Sequence, residues 1–97
     1  MKILIADDEA DIRNLIKLSL EENGYTVFPA QNGKEALDIL KAEDINLAIL
    51  DVMMPVMDGF NLLRKIRENS TIPVIMLTAR NDEMDKVLGL NLGADDY

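Results

Sequence analysis

Every residue from Leu47 to Leu50 is apolar, and the run stops at a single carboxylate, Asp51. A strand with one wet face alternates polar and apolar residues, whereas a strand covered on both faces reads as a continuous apolar run. Leu47–Leu50 is of the second kind, which belongs to parallel sheets with helices packed on either side. Ile3–Ile5 and Val74–Leu77 share this character, while Tyr25–Phe28 is mixed and fits an edge strand. Open sheets of this class place their ligand crevices at the carboxyl ends of the strands. Three of the four runs end suggestively there: the first at Asp7-Asp8, the third at Asp51, the fourth at Thr78.

Helical spacing fills the intervals. Ile12, Leu15, Ile16 and Leu20 recur at threes and fours, which predicts a helix from about Ala10 with that stripe inward and a stop at Asn23-Gly24. Leu18 lies about 240° round the helix from Ile12, opposite the stripe. Asn32 and Gly33 open a second helix with Ala36, Leu37 and Leu40 inward. Asp58 is the expected N-cap of a third, with Phe60, Leu63 and Ile66 inward and Arg64, Lys65 and Arg67 on its solvated face. Asn81 or Asp82 caps a fourth carrying Met84, Val87 and Leu88, after which Gly93 to Tyr97 enters a fifth strand. Residues 1–97 thus read as one α/β domain, a parallel sheet with right-handed crossovers.

The chemistry open to this chain is narrow. It has no cysteine and no histidine, so thiolate or imidazole metal sites, disulfides and histidine bases are excluded. The 18 acidic residues against 10 basic give a net charge of −8, which opposes direct nucleic-acid contact and favours a cation or a basic partner. The run from Ile3 to Ala6 is too short for a signal peptide or a membrane span, so no membrane contact and a cytoplasmic location are expected. Asp7, Asp8 and Asp51 at neighbouring strand ends must share protons or hold a cation, and hard oxygen donors of this kind suit Mg²⁺.

These residues resemble a known family in combination. Asp7-Asp8 after the first strand, Asp51 followed by Met54-Pro55 and Asp58-Gly59, and Thr78-Ala79 after the fourth strand are similar to the receiver domain of bacterial two-component response regulators. Leu77-Thr78-Ala79-Arg80 and Gly93-Ala94-Asp95-Asp96-Tyr97 further resemble the winged-helix transcription-factor subfamily. The resemblance implies a flavodoxin-like, doubly wound (βα)5 fold of strand order 2-1-3-4-5, here without most of the fifth strand and helix. It implies that Asp51 accepts a phosphoryl group from a sensor histidine kinase and that the domain catalyses its own phosphorylation and dephosphorylation. Mg²⁺ would be held by Asp8, Asp51 and the backbone carbonyl of Met53, with Asp7 acting through water. Thr78 would bond the phosphoryl oxygens, and Tyr97 would be the aromatic switch. The same resemblance implies an output DNA-binding domain in the parent chain, a homodimer through the fourth helix and fifth-strand face, and kinase docking on the first helix, where Leu18 is a candidate contact.

Two other carboxylate or phosphate chemistries on this topology fit less well. A flavin-phosphate carrier needs a hydroxyl- and glycine-rich first loop, which Asp7-Asp8-Glu9 would oppose by charge. A haloacid-dehalogenase-type phosphatase needs an aspartate two residues after its nucleophile, where this chain has Met53. The remaining alternative is a receiver fragment that only folds and binds, without phosphotransfer.

Overall fold

The computed structural model describes residues 1–52, Met54 and residues 57–77. Along them β1 (Lys2–Ala6), α1 (Ala10–Glu22), β2 (Thr26–Ala30), α2 (Gly33–Ala42), β3 (Leu47–Asp51), α3 (Gly59–Arg67) and β4 (Val74–Leu77) alternate. The described strands form one parallel sheet in the order β2-β1-β3-β4. The expected fourth helix and fifth strand, with Met53, Thr78 and Tyr97, lie outside the described residues.

The continuous apolar runs have a plain cause, since successive residues of a strand face opposite sides of the sheet. Leu4, Ala6, Ala48, Leu50, Val74 and Met76 turn to one side, against Ala36 of α2 and Phe60, Leu62, Leu63 and Ile66 of α3. Ile3, Ile5 and Val27 turn to the other, where Ile16 and Leu20 of α1 cover them together with Leu47 and Ile49. Helices therefore lie on both faces, as a doubly wound sheet requires. Among the described residues the α2–α3 side holds the larger core. Leu50 is fully buried at its centre, so Leu50→Ala is expected to cost about 2–5 kcal/mol. Leu18→Ala, at a position 60% exposed, should stay within about 0.5 kcal/mol. Chemical denaturation of the two variants checks the contrast.

Local chemistry sets the boundaries. Gly24 follows the C-cap Asn23 with φ +88°, a conformation other residues adopt at a cost. The side chains of Asn32 and Asp58 accept hydrogen bonds from the backbone N–H groups of Glu35 and Asn61, both at 2.9 Å, and so start α2 and α3 as expected. β2 runs past the predicted Phe28 to Ala30 and takes in Pro29, which pairs with Ile5. A proline fits there because β2 is the edge strand at this end of the sheet, where a missing N–H breaks no outer ladder.

Two expectations are corrected. The α1 stripe is not inward as a whole: Ile12 and Leu15 are 41% and 66% exposed, and only Ile16 and Leu20 pack on the sheet. At 100° per residue, Ile16, Leu20, Arg13 and Lys17 span one arc of the helix, and these are its half-buried positions. The helix is thus turned away from its most apolar stripe, with Arg13 drawn inward. On α3, Arg67 is not part of a solvated face: its Nη1 donates to the carbonyl of Ile72 at 2.6 Å, tying the helix end to the approach of β4.

Candidate functional site

The ends of β1 and β3 bring the site together. The two strands pair in register up to Ala6 and Leu50, so Asp7 and Asp51 are each the next residue beyond that last pair. Asp8 follows one residue on. Carboxylate oxygens of Asp7, Asp8 and Asp51 all lie within 4.8 Å of one another. Two full charges at that separation repel by about 3–4 kcal/mol at an effective dielectric near 20, less where water screens them. A trio held this close by two strands is therefore poised to take up positive charge.

The three carboxylates differ in surroundings. Asp7 is buried, and its carboxylate accepts the Glu9 N–H at 2.9 Å, which fixes it in the loop leading to α1. Its own N–H donates to Ala30 at 3.1 Å. Asp51 is half-buried and Asp8 exposed, and no hydrogen bond from a described residue reaches Asp8. Access thus runs over Asp8 and Asp51, with Asp7 beneath.

The loop after β3 explains Asp58-Gly59. Gly59 donates its N–H to the carbonyl of Val52 at 3.1 Å, folding the start of α3 back against the strand end. A Cβ on Gly59 would collide with the Asp51 carbonyl oxygen and lie 2.9 Å from both the Asp51 carbonyl carbon and Met76 Cε. Only glycine lets α3 approach the backbone of Asp51 this closely. The sequence marked this glycine as part of a motif, and its steric reason comes from the packing.

Comparison with known proteins decides the family. The family model described as the response regulator receiver domain matches residues 3–97. This chain belongs to that family. It is 50% identical to the probable transcriptional regulator ycf27 of Porphyridium aerugineum over 99% of its own length and 40% of that protein. The receiver domain of the Francisella response regulator 1452 superposes with a TM-score of 0.94 at 41% identity, covering 99% of this chain and 80% of that one. The response regulator TrrA of Thermotoga maritima, solved in complex with Mg²⁺ and BeF, gives a TM-score of 0.88 at 36% identity, with 99% and 83% covered. The curated relatives are longer proteins, of which this chain spans 38–42%.

As a receiver, the chain has the fold expected of it, with α1 on one side of the sheet and α2 and α3 on the other. Asp7, Asp8 and Asp51 meet at the ends of neighbouring strands, as the parallel-sheet reading of the sequence expects. All three offer hard oxygen, the donor chemistry that suits Mg²⁺. Two features of the receiver site escaped sequence reasoning: the approach of Gly59 to the Asp51 backbone, and a bond from Arg13 to the Asp7 carbonyl at 2.7 Å. Among the described residues no helix is long and apolar enough to cross a membrane.

Proposed function

We propose that residues 1–97 form the phosphoacceptor receiver of a two-component system, with Asp51 as the residue that takes the phosphoryl group. The observation that carries this is the convergence of three carboxylates from two neighbouring strand ends in a chain of the receiver family. Asp51 is half-buried at the end of β3, so the sheet holds the residue while part of its surface is exposed. Its oxygen attacks the phosphorus of a phosphohistidine on the kinase. The new O–P bond forms as the P–N bond breaks, and the imidazole leaves with the electron pair. Phosphoryl transfer of this kind depends on alignment and charge neutralisation more than on covalent machinery.

Asp8, Asp51 and the Met53 carbonyl would hold Mg²⁺, with Asp7 acting through water. The ion would neutralise charge that builds up on the phosphoryl oxygens. The unlike surroundings of the two acids at the end of β1 support this division. Asp7 is already committed to Glu9, whereas Asp8 is exposed. Asp8→Asn, which removes a direct ligand, is therefore expected to weaken Mg²⁺ binding more than Asp7→Asn, which removes a group acting through water and costs roughly 10–100-fold. Isothermal titration of both variants tests the order, and the reverse order would remove Asp8 from the ion.

Thr78 and Tyr97 complete the proposed site as the phosphoryl-bonding hydroxyl and the aromatic switch. The proposed partners are a sensor histidine kinase, an output DNA-binding domain in the same polypeptide and a second copy through the fourth helix and fifth-strand face, all in the cytoplasm. The name of the Porphyridium relative, a probable transcriptional regulator, supports the DNA-binding output. Leu15 and Leu18, exposed on α1, support kinase docking there. Family membership favours phosphotransfer over a role confined to folding and binding. Incubation with a small phosphodonor and Mg²⁺, followed by intact mass, separates the two.

A further inference from the structure

Arg13 has a part in this site that its place in the sequence does not announce. Its Nη1 donates to the main-chain carbonyl of Asp7, six residues earlier, at 2.7 Å in a partly buried setting. Asp7 lies just beyond the last ladder pairs of β1, which join Ala6 to Ala30 and to Leu50. A strand end of this kind normally leaves main-chain groups to solvent. Here the Asp7 N–H goes to Ala30, its carboxylate to the Glu9 N–H and its carbonyl to the guanidinium of Arg13. That carbonyl belongs to the peptide joining Asp7 to Asp8, and a planar peptide that turns carries the next Cα with it.

The setting of α1 points the same way. The helix leaves Ile12 and Leu15 exposed and brings Arg13 to a half-buried position instead. Asp8 itself receives no hydrogen bond from a described residue. Among the described residues, the peptide that precedes it is what fixes its place.

We propose that Arg13 is a positioning residue: by clamping the Asp7–Asp8 peptide it holds the exposed Asp8 carboxylate within reach of Asp7 and Asp51, in the arrangement that captures a divalent cation. This rests on the reading of that trio as the Mg²⁺ site. Groups that orient metal ligands from behind commonly change affinity by about 10–100-fold when lost.

The test is Mg²⁺ titration of the purified protein followed by backbone NMR shifts, for wild type, Arg13→Gln and Arg13→Lys, with melting in the absence of metal as the check on folding. Arg13→Gln is expected to bind Mg²⁺ about tenfold or more weakly, and Arg13→Lys to recover most of that loss because it keeps a charged donor. Wild-type affinity in Arg13→Gln, or an equal loss in Arg13→Lys, would overturn the positioning role. Should Arg13→Gln fail to fold, the wild-type guanidinium protons decide: they are expected to shift as Mg²⁺ is added, and unmoved signals would overturn the role. Absence of any Mg²⁺-dependent shift at Asp7, Asp8 and Asp51 in the wild type would instead remove the metal-site reading, and the role of Arg13 with it.

Discussion

Asp51→Asn is expected to abolish phosphoryl incorporation from a small phosphodonor while leaving the protein folded. The amide that replaces the carboxylate has neither the charge nor the nucleophilic oxygen that the transfer needs. The same change removes one of three negative charges whose oxygens lie within 4.8 Å of one another. At an effective dielectric near 20 each such pair repels by about 3–4 kcal/mol before screening, so relief of repulsion should offset what the carboxylate contributes to the fold. Without Mg²⁺ the variant should melt no lower than wild type. Phosphorylation measured beside a melting curve therefore separates loss of the acceptor from loss of structure. A variant that loses both would show Asp51 to be chiefly structural.

Gly59→Ala should be the most damaging single-methyl change near the site. Helix propensity alone argues the other way, since alanine is favoured over glycine inside helices by up to about 1 kcal/mol. The opposing term is steric. The added carbon would meet the backbone of Asp51, with its carbonyl carbon at 2.9 Å, and backbone cannot swing aside as a side-chain tip can. Forced overpacking of this kind costs about 1–3 kcal/mol or more, so the clash wins. Relief would require α3 and the end of β3 to part, which would strain the bond from Gly59 to Val52 and displace Asp51. Gly59→Ala is thus expected to lower stability by about 1–3 kcal/mol and to slow phosphorylation in the folded population. Chemical denaturation and labelling rates on the same preparation check both. A variant more stable than wild type would mean that the helix start yields without cost.

Much of this molecule was legible in its sequence because single residues carried the signal. Continuous apolar runs marked strands covered on both sides, and Asn32 and Asp58 marked two helix starts through the hydrogen bonds they accept. The three aspartates were identifiable because strand ends in a parallel sheet meet at one edge. What escaped depended on how elements settle against one another. The apolar stripe of α1 predicted the wrong rotation, since Ile16 and Leu20 suffice to cover Ile3, Ile5 and Val27 while Arg13 reaches Asp7. Helical spacing places Phe60, Leu63 and Ile66 inward on α3 but not Leu62, yet Leu62 is fully buried, because that helix lies deep enough to bury neighbouring positions. Arg67 reads as a surface cation until its carbonyl partner, five residues on, is seen. The reason for Gly59 appears only when the backbone of Asp51 is found beside it.

The most direct measurement is site-resolved mass spectrometry of the protein after incubation with a small phosphodonor and Mg²⁺. The expected result is one phosphoryl group per chain, mapped to Asp51, absent when the metal is chelated and absent in Asp51→Asn. A phosphoryl group mapped to another residue, or incorporation undiminished in Asp51→Asn, would contradict the assignment of Asp51 as the acceptor.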